Sequence, residues 1–286
     1  MSISLKEMLS RFTDLPTLPI VATQVSEMIN DPTSSTDEIA DLLRKDQALT
    51  AKILKLANSS YYSIPGGVTD IHKALTYLGF NTLSQLVLSV SVVGLFKEQA
   101  DVKFSFGDFW KHALGVAVTS EVLAKRTGKL KPEVAFTCGL LHDVGKLVLY
   151  TLEPGLFSQA VTQAKEKFMS FIAVEEAMKL PTHVDLGEAA VKLWKFPSVI
   201  ALAIKHHHDP FKSLEQLPES HRLMCQVIWI ANQYCVAKKI GNSADYSGGQ
   251  IEPFMYNKIG IHNDRVSEID EEISLSLDKA GAFLNA

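Results

Sequence analysis

The pair His142-Asp143 sits in an otherwise apolar run, TCGLLHDVGKLVLY, residues 137–150. A neutral polar group buried without a partner costs on the order of 1–3 kcal/mol, and a charge costs more, so both side chains need something to bind. Other histidines fall at selected places: His112 in DFWKHALGVAV, His183 in PTHVDLGEAA, and His206, His207 and His208 in AIKHHHDP. Each lies on or at the end of a predicted helix whose other residues are mostly apolar. The imidazoles can therefore converge inside a bundle, where helical proteins build imidazole and carboxylate metal sites. Neutral imidazole with carboxylate suits zinc, iron, manganese or nickel; an all-oxygen set would point to magnesium or calcium. A single histidine on an apolar helix face reads more simply as a hydrogen-bonded core residue. A His-Asp pair with several inward histidines favours one shared polar site holding at least His142, Asp143, His112 and His183. His72, His221 and His262 stand apart and read as surface or local capping residues.

The elements that must position these residues are helical from end to end, with no alternating strand pattern joined by hairpin turns, so the fold class is all-α. Pro19 suits a first helical turn, Val21, Val25, Met28 and Ile29 recur at helical spacing, and Asp31-Pro32 stops that run. Ser35 and Glu38 have capping-box spacing, and Asp46 can cap a third helix whose Leu49, Ile53, Leu56 and Ala57 face one way. The polar segment KEQADVKFSFGD marks a division near residue 105, giving an N-terminal helical part, 1–105, and a second helical part, 106–286. In the second part helices are predicted over 107–127, 132–150, 153–168, 171–179, 184–195, 197–208 and 220–240, with a last one in the acidic C-terminal segment. Residues 241–262 read as an irregular loop.

The chain has 286 residues, 47% of them hydrophobic and 21% charged, which suits a globular protein of two domains or one large one. A net charge of −4 lacks the footprint of a nucleic-acid binder. Two capped helices at 35–44 and 46–57, with Lys52 and Lys55, could imitate a helix-turn-helix, but their connection is too short and lacks the usual glycine. Cys138, Cys225 and Cys235 form no CxxC pair, and MSISLKEMLSRF lacks the apolar core of a signal peptide; a reducing, cytoplasmic setting is expected. Residues 74–96 carry no charge and are long enough to span a bilayer, but Gly79 and Asn81 interrupt them. They read as a short helix ending at Gly79 and then a buried core helix, with no membrane span.

HDVGKL, preceded by a helix carrying His112, resembles the HD-domain superfamily of metal-dependent phosphohydrolases. LPTLP, DQALTAKILKLANSSYY, ALTYLGFNTL, GLLHDVGKLVL, HVDLGEAAVKLWKFP and AIKHHHDP follow in the order seen in the HDOD family, a relative of the HD-GYP phosphodiesterases, over residues 12–212. The resemblance implies an N-terminal helical bundle followed by a reduced HD-type helical domain, in a bacterial signalling or regulatory module. It also implies His112, His142 and Asp143 as HD-type metal ligands, joined by His183, His207 and His208, with His207 the foremost of the triple and His206 facing solvent. Lys146 matches a lysine that lies near substrate phosphate in catalytic relatives, which with Asp143 would form the catalytic pair. Gly145 would let another backbone approach closely. Two features depart from catalytic relatives: Asn232 stands where a final aspartate ligand is expected, and no GYP follows HHHDP. The expectation is a regulatory protein with a degenerate, possible divalent transition-metal site, acting with a signalling protein or a small phosphorylated ligand. The alternative is a metal-dependent phosphohydrolase acting on a nucleotide or phosphodiester.

Overall fold

The computed structural model describes residues 3–31, 33–98, 104–211, 214–249, 251–252 and 254–281, and no strand occurs among them. The chain opens with helices α1 (Leu5–Ser10) and α2 (Ile20–Asn30), and α3 (Thr36–Leu43) and α4 (Gln47–Ala57) start where the capping signals place them. Ser35 and Glu38 form the reciprocal capping box of α3, and Asp46 accepts the Leu49 N–H at 2.9 Å at the start of α4. Pro19 differs from its predicted place: it is the residue before α2, not inside its first turn. Pro32 lies outside the described residues.

Helix α5 (Ile71–Val93) is long and apolar enough, by length and composition alone, to cross a membrane. Its backbone leaves helical geometry at Gly79, with φ 78° and ψ 167°, so it is a short helix and a longer one joined at a kink. In the longer piece Leu83, Leu86, Val87, Leu88 and Val92 are buried, and α5 packs on α2, α3 and α4, as a core helix does.

The second half holds α6 (Phe106–Thr127), α7 (Pro132–Leu141), α8 (Val144–Leu152), α9 (Pro154–Lys167) and α10 (Phe171–Ala177). It continues with α11 (His183–Leu193), α12 (Ser198–His206), α13 (Glu219–Ala237), α14 (Phe254–Lys258) and α15 (Val266–Ala280). Two expectations are corrected. The helix predicted over 132–150 is broken at His142 and Asp143, where Asp143 takes φ −99° and ψ 9°. Neighbours on an unbroken helix diverge by about 100°, and the break lets both side chains turn to the same interior. The predicted loop 241–262 contains the short helix α14, held by buried Tyr256.

One hydrophobic cluster runs from Met8 to Ala244 and draws on residues both before and after position 105. Residues 99–103, shortly before that position, lie outside the described residues; the two sets of helices on either side share this core. A smaller cluster fastens α15 and α14 to α6 and α13.

Candidate metal centre

Five pieces of chain deliver the polar interior. Helix α6 carries His112, the α7–α8 break carries His142 and Asp143, α11 begins at His183, α12 ends next to His207 and His208, and α13 carries Asn232. Glycines set the helix separations. A Cβ at Gly145 would collide with the His183 carbonyl oxygen and lie 2.7 Å from the Gly187 nitrogen, so α8 and α11 meet backbone to backbone. At Gly139 a Cβ would lie 2.7 Å from Ala117 Cα, which brings α7 equally close to α6.

Four imidazoles are held by their Nδ1 atoms. His142 Nδ1 lies 2.7 Å from the Gly139 carbonyl oxygen, His207 Nδ1 2.7 Å from that of Ile204, and His112 Nδ1 3.2 Å from that of Ile240. His183 Nδ1 lies 2.7 Å from Glu175 Oε2, while Glu175 Oε1 accepts the His183 backbone N–H at 2.8 Å. Each Nδ1 faces an acceptor and donates its proton there, so each Nε2 keeps a lone pair directed inward.

The inward atoms gather around Asp143. Its Oδ2 is 3.2 Å from His142 Nε2, and its Oδ1 is 3.4 Å and 3.5 Å from the Nε2 atoms of His183 and His207. His183 Nε2 also lies 3.4 Å from His207 Nε2 and 3.0 Å from His208 Nε2. His112 Nε2 is 3.0 Å from Asn232 Oδ1. The Nε2 atoms of His142, His183 and His207 thus face the Asp143 carboxylate as acceptor against acceptor, and His142 Nε2 and Asp143 Oδ1 have no hydrogen-bond partner although both are buried. Bonds of about 2.0–2.2 Å from a shared cation set neighbouring ligand atoms roughly 3.0–3.5 Å apart, so the spacing fits a metal. The atoms form two groups, His112 with His142 and Asp143, and Asp143 with His183, His207 and His208; Asp143 belongs to both.

Burial tunes these groups for the same purpose. His112, His142, Asp143, His183 and His207 are 0–1% exposed, whereas His208 is half-buried. Burial, reinforced by nearby positive groups, pushes His112 and His207 down to about 4, so both are neutral ligands at pH 7. For Asp143 burial alone would favour the proton, but the Lys146 ammonium beside it helps hold the carboxyl well below its usual range. His206 is half-buried and belongs to neither ligand group.

Lys146 is fully buried, and its ammonium protons go to Asp143 Oδ2 at 2.9 Å, Asp245 Oδ2 at 2.6 Å and Ser243 Oγ at 3.3 Å. In this conformation it bonds to the protein and faces no open cleft. Asp245, Ser243 and Glu175 are the polar partners that sequence reasoning missed. Glu175 lies in FIAVEEA, where one buried acid among apolar residues was a usable signal, but GNSADYSGG has no periodicity to single out Asp245.

The HDOD domain family matches residues 15–210. The chain belongs to the HDOD family. All six histidine and aspartate positions of the cluster fall inside that match, whereas Asn232 and Asp245 lie beyond it. A solved HDOD domain protein with unknown function from Geobacter sulfurreducens is 28% identical, with a TM-score of 0.80 and coverage of 97% of each chain. A phosphohydrolase candidate from Shewanella amazonensis SB2B is 24% identical, with a TM-score of 0.72 over 97% of this chain and 95% of that one, a likeness of fold. An uncharacterised protein of Treponema pallidum (strain Nichols) is 25% identical over 223 residues, covering 78% of this chain. The chain spans 42% of the length of that curated relative.

Proposed function

We infer that this HDOD protein is a regulatory module, working in a reducing, cytoplasmic setting, whose buried His-Asp centre binds a divalent transition metal as part of its folded architecture. The observation that carries this reading is the convergence of inward Nε2 lone pairs on Asp143 with its principal ligands 0–1% exposed. A centre so enclosed holds a cation well and admits a substrate poorly. His112, His142, Asp143, His183, His207 and His208 would hold the metal, with Asn232 Oδ1 as a neutral oxygen beside His112. The free, buried thiols of Cys138, Cys225 and Cys235 suit that compartment. The natural partner is a signalling protein or a small phosphorylated ligand, not a nucleic acid, in keeping with the net charge of −4.

Phosphohydrolysis is the second reading, favoured by Asp143 standing between two ligand groups. A bound divalent ion supplies Lewis acidity for such a reaction. The chain's own part would be to hold the His tautomers through Gly139, Ile204, Ile240 and Glu175, and to exclude water. One experiment separates the two: metal content of the purified protein by mass spectrometry, beside turnover of nucleotides, cyclic dinucleotides and a generic phosphodiester. Bound metal with absent or slow turnover supports the regulatory reading. Full occupancy with brisk turnover overturns it in favour of the hydrolase, and no metal uptake from zinc, iron, manganese or nickel overturns both.

A further inference from the structure

The segment 240–249 runs beside the centre as a strap and is tied down at several points. The Ile240 carbonyl receives the His112 Nδ1 proton at 3.2 Å, and Asn242 N–H donates to the Asp108 carbonyl at 3.0 Å. Ala244 N–H donates to Asn242 Oδ1 at 2.6 Å, Tyr246 N–H to the Met169 carbonyl at 3.2 Å, and Gly249 N–H to Gln233 Oε1 at 2.8 Å. Gly241, at φ 62°, fits where a Cβ would collide with Asp108 O and His112 N. From this strap Asp245 reaches inward: Oδ1 accepts the Phe171 N–H at 2.8 Å and Oδ2 accepts from Lys146 at 2.6 Å.

We propose that Asp245 is a positioning residue for the metal centre, taking the charge of Lys146 so that the Asp143 carboxylate stays available to the cation. This rests on the metal-binding reading above. Lys146 paired with Asp143 alone would cancel the one anion that, among the described residues, belongs to both ligand groups. With Asp245 on the same ammonium, two carboxylates face one cationic side chain, and a net negative charge remains beside the histidines. The Ser243 hydroxyl completes the ammonium's partners, and the Phe171 ring lies 5.3 Å away, so Lys146 is held without drawing Asp143 out of line.

The test is a charge-exchange cycle on the full chain, with zinc affinity read by chelator competition and coordination read from the visible spectrum of the cobalt-substituted protein. Asp245→Asn keeps the side-chain shape and the acceptor for Phe171 N–H, and is expected to weaken zinc by about 10–100-fold, the usual effect of losing an outer partner. Lys146→Met combined with Asp245→Asn removes both charges, and should recover most of that loss and the wild-type cobalt spectrum. A merely structural role for Asp245 predicts no recovery, because the double variant loses more contacts. Affinity for Asp245→Asn within twofold of wild type, or a double variant as weak as the single one, overturns the proposal. Should Asp245→Asn fail to fold, Ser243→Ala removes the third partner of the ammonium together with the hydroxyl that donates to Asp245 Oδ2 at 3.4 Å, loosening Asp245's hold on Lys146; weaker zinc binding there supports the proposal and unchanged binding overturns it. A wild type that takes up neither zinc nor cobalt overturns the underlying metal reading as well, and the wild-type arm distinguishes the two failures.

Discussion

At the scale of single residues, the centre is defined by which histidine nitrogen carries the proton. The carbonyls of Gly139, Ile204 and Ile240 and the Glu175 carboxylate take the Nδ1 protons, and the Nε2 atoms are left as ligands. His142→Ala removes one such ligand and Asp143→Ala removes the anion common to both groups, so each variant should lose bound metal on dialysis. Excess zinc should raise the thermal midpoint of wild type and leave that of His142→Ala unmoved, because a ligand at 100 times its Kd stabilises by about 2.7 kcal/mol. Asn232 is buried with its oxygen 3.0 Å from His112 Nε2, which places it where a further ligand would act. Asn232→Asp adds charge there. The variant should retain metal through dialysis better than wild type, yet melt lower than wild type in chelator, where the second carboxylate near Asp143 lacks a counter-ion. Retention no better than wild type would show that position 232 lies outside the coordination sphere.

At the scale of elements, the break between α7 and α8 and the contact of α8 with α11 do the positioning. The break turns His142 and Asp143 to one side. The glycine contact sets the distance from that pair to His183, since the His183 carbonyl lies where a Gly145 Cβ would be. Gly145→Ala must push the two helices apart. It should destabilise the fold by at least about 2 kcal/mol in urea denaturation, the scale of overpacking a tight interior. It should also weaken zinc binding, because His183 rides on the displaced helix. Gly155→Ala is the matched control: nothing lies within 4 Å of a Cβ there, and stability should hardly change.

At the scale of the whole molecule, the N-terminal helices reach the second half through the shared core and through a hydrogen bond from the Tyr61 hydroxyl to Glu121 on α6. Burial pushes the Glu121 carboxyl up to about 7; the Tyr61 hydrogen bond opposes this and Glu133 adds to it. The folded pKa lies above the unfolded value of 4.5, so between those limits the folded state keeps a proton that the unfolded chain has lost. Stability from this group is therefore present at low pH and declines as pH rises through about 7. Glu121→Gln has no such titration. In chelator, the stability of the variant relative to wild type should increase between pH 4.5 and pH 8, by up to a few kcal/mol at about 1.4 kcal/mol per pKa unit. A difference constant across that range would remove Glu121 as the titrating group.

The all-α class was legible before folding, because helical periodicity and caps such as Ser35 with Glu38 and Asp46 are local, and the structure keeps them. The sequence also singled out most of the centre, since a histidine or aspartate among apolar neighbours is conspicuous wherever the chain folds, and the ordered motifs from LPTLP to AIKHHHDP carried the family. The rest depends on contacts between distant segments. The break at His142 and Asp143 could not be read from the apolar run 137–150, which has no glycine or proline between the two helices, because the break is made by inward packing and not by local propensity. The proton positions on the histidines depend on carbonyls as far away in the chain as Ile240. The company of Lys146 depends on Asp245, 99 residues further on, in a loop with no pattern of its own. Such pairings are chosen by which charges burial leaves uncompensated, a property of the assembled interior that no single segment of the chain contains.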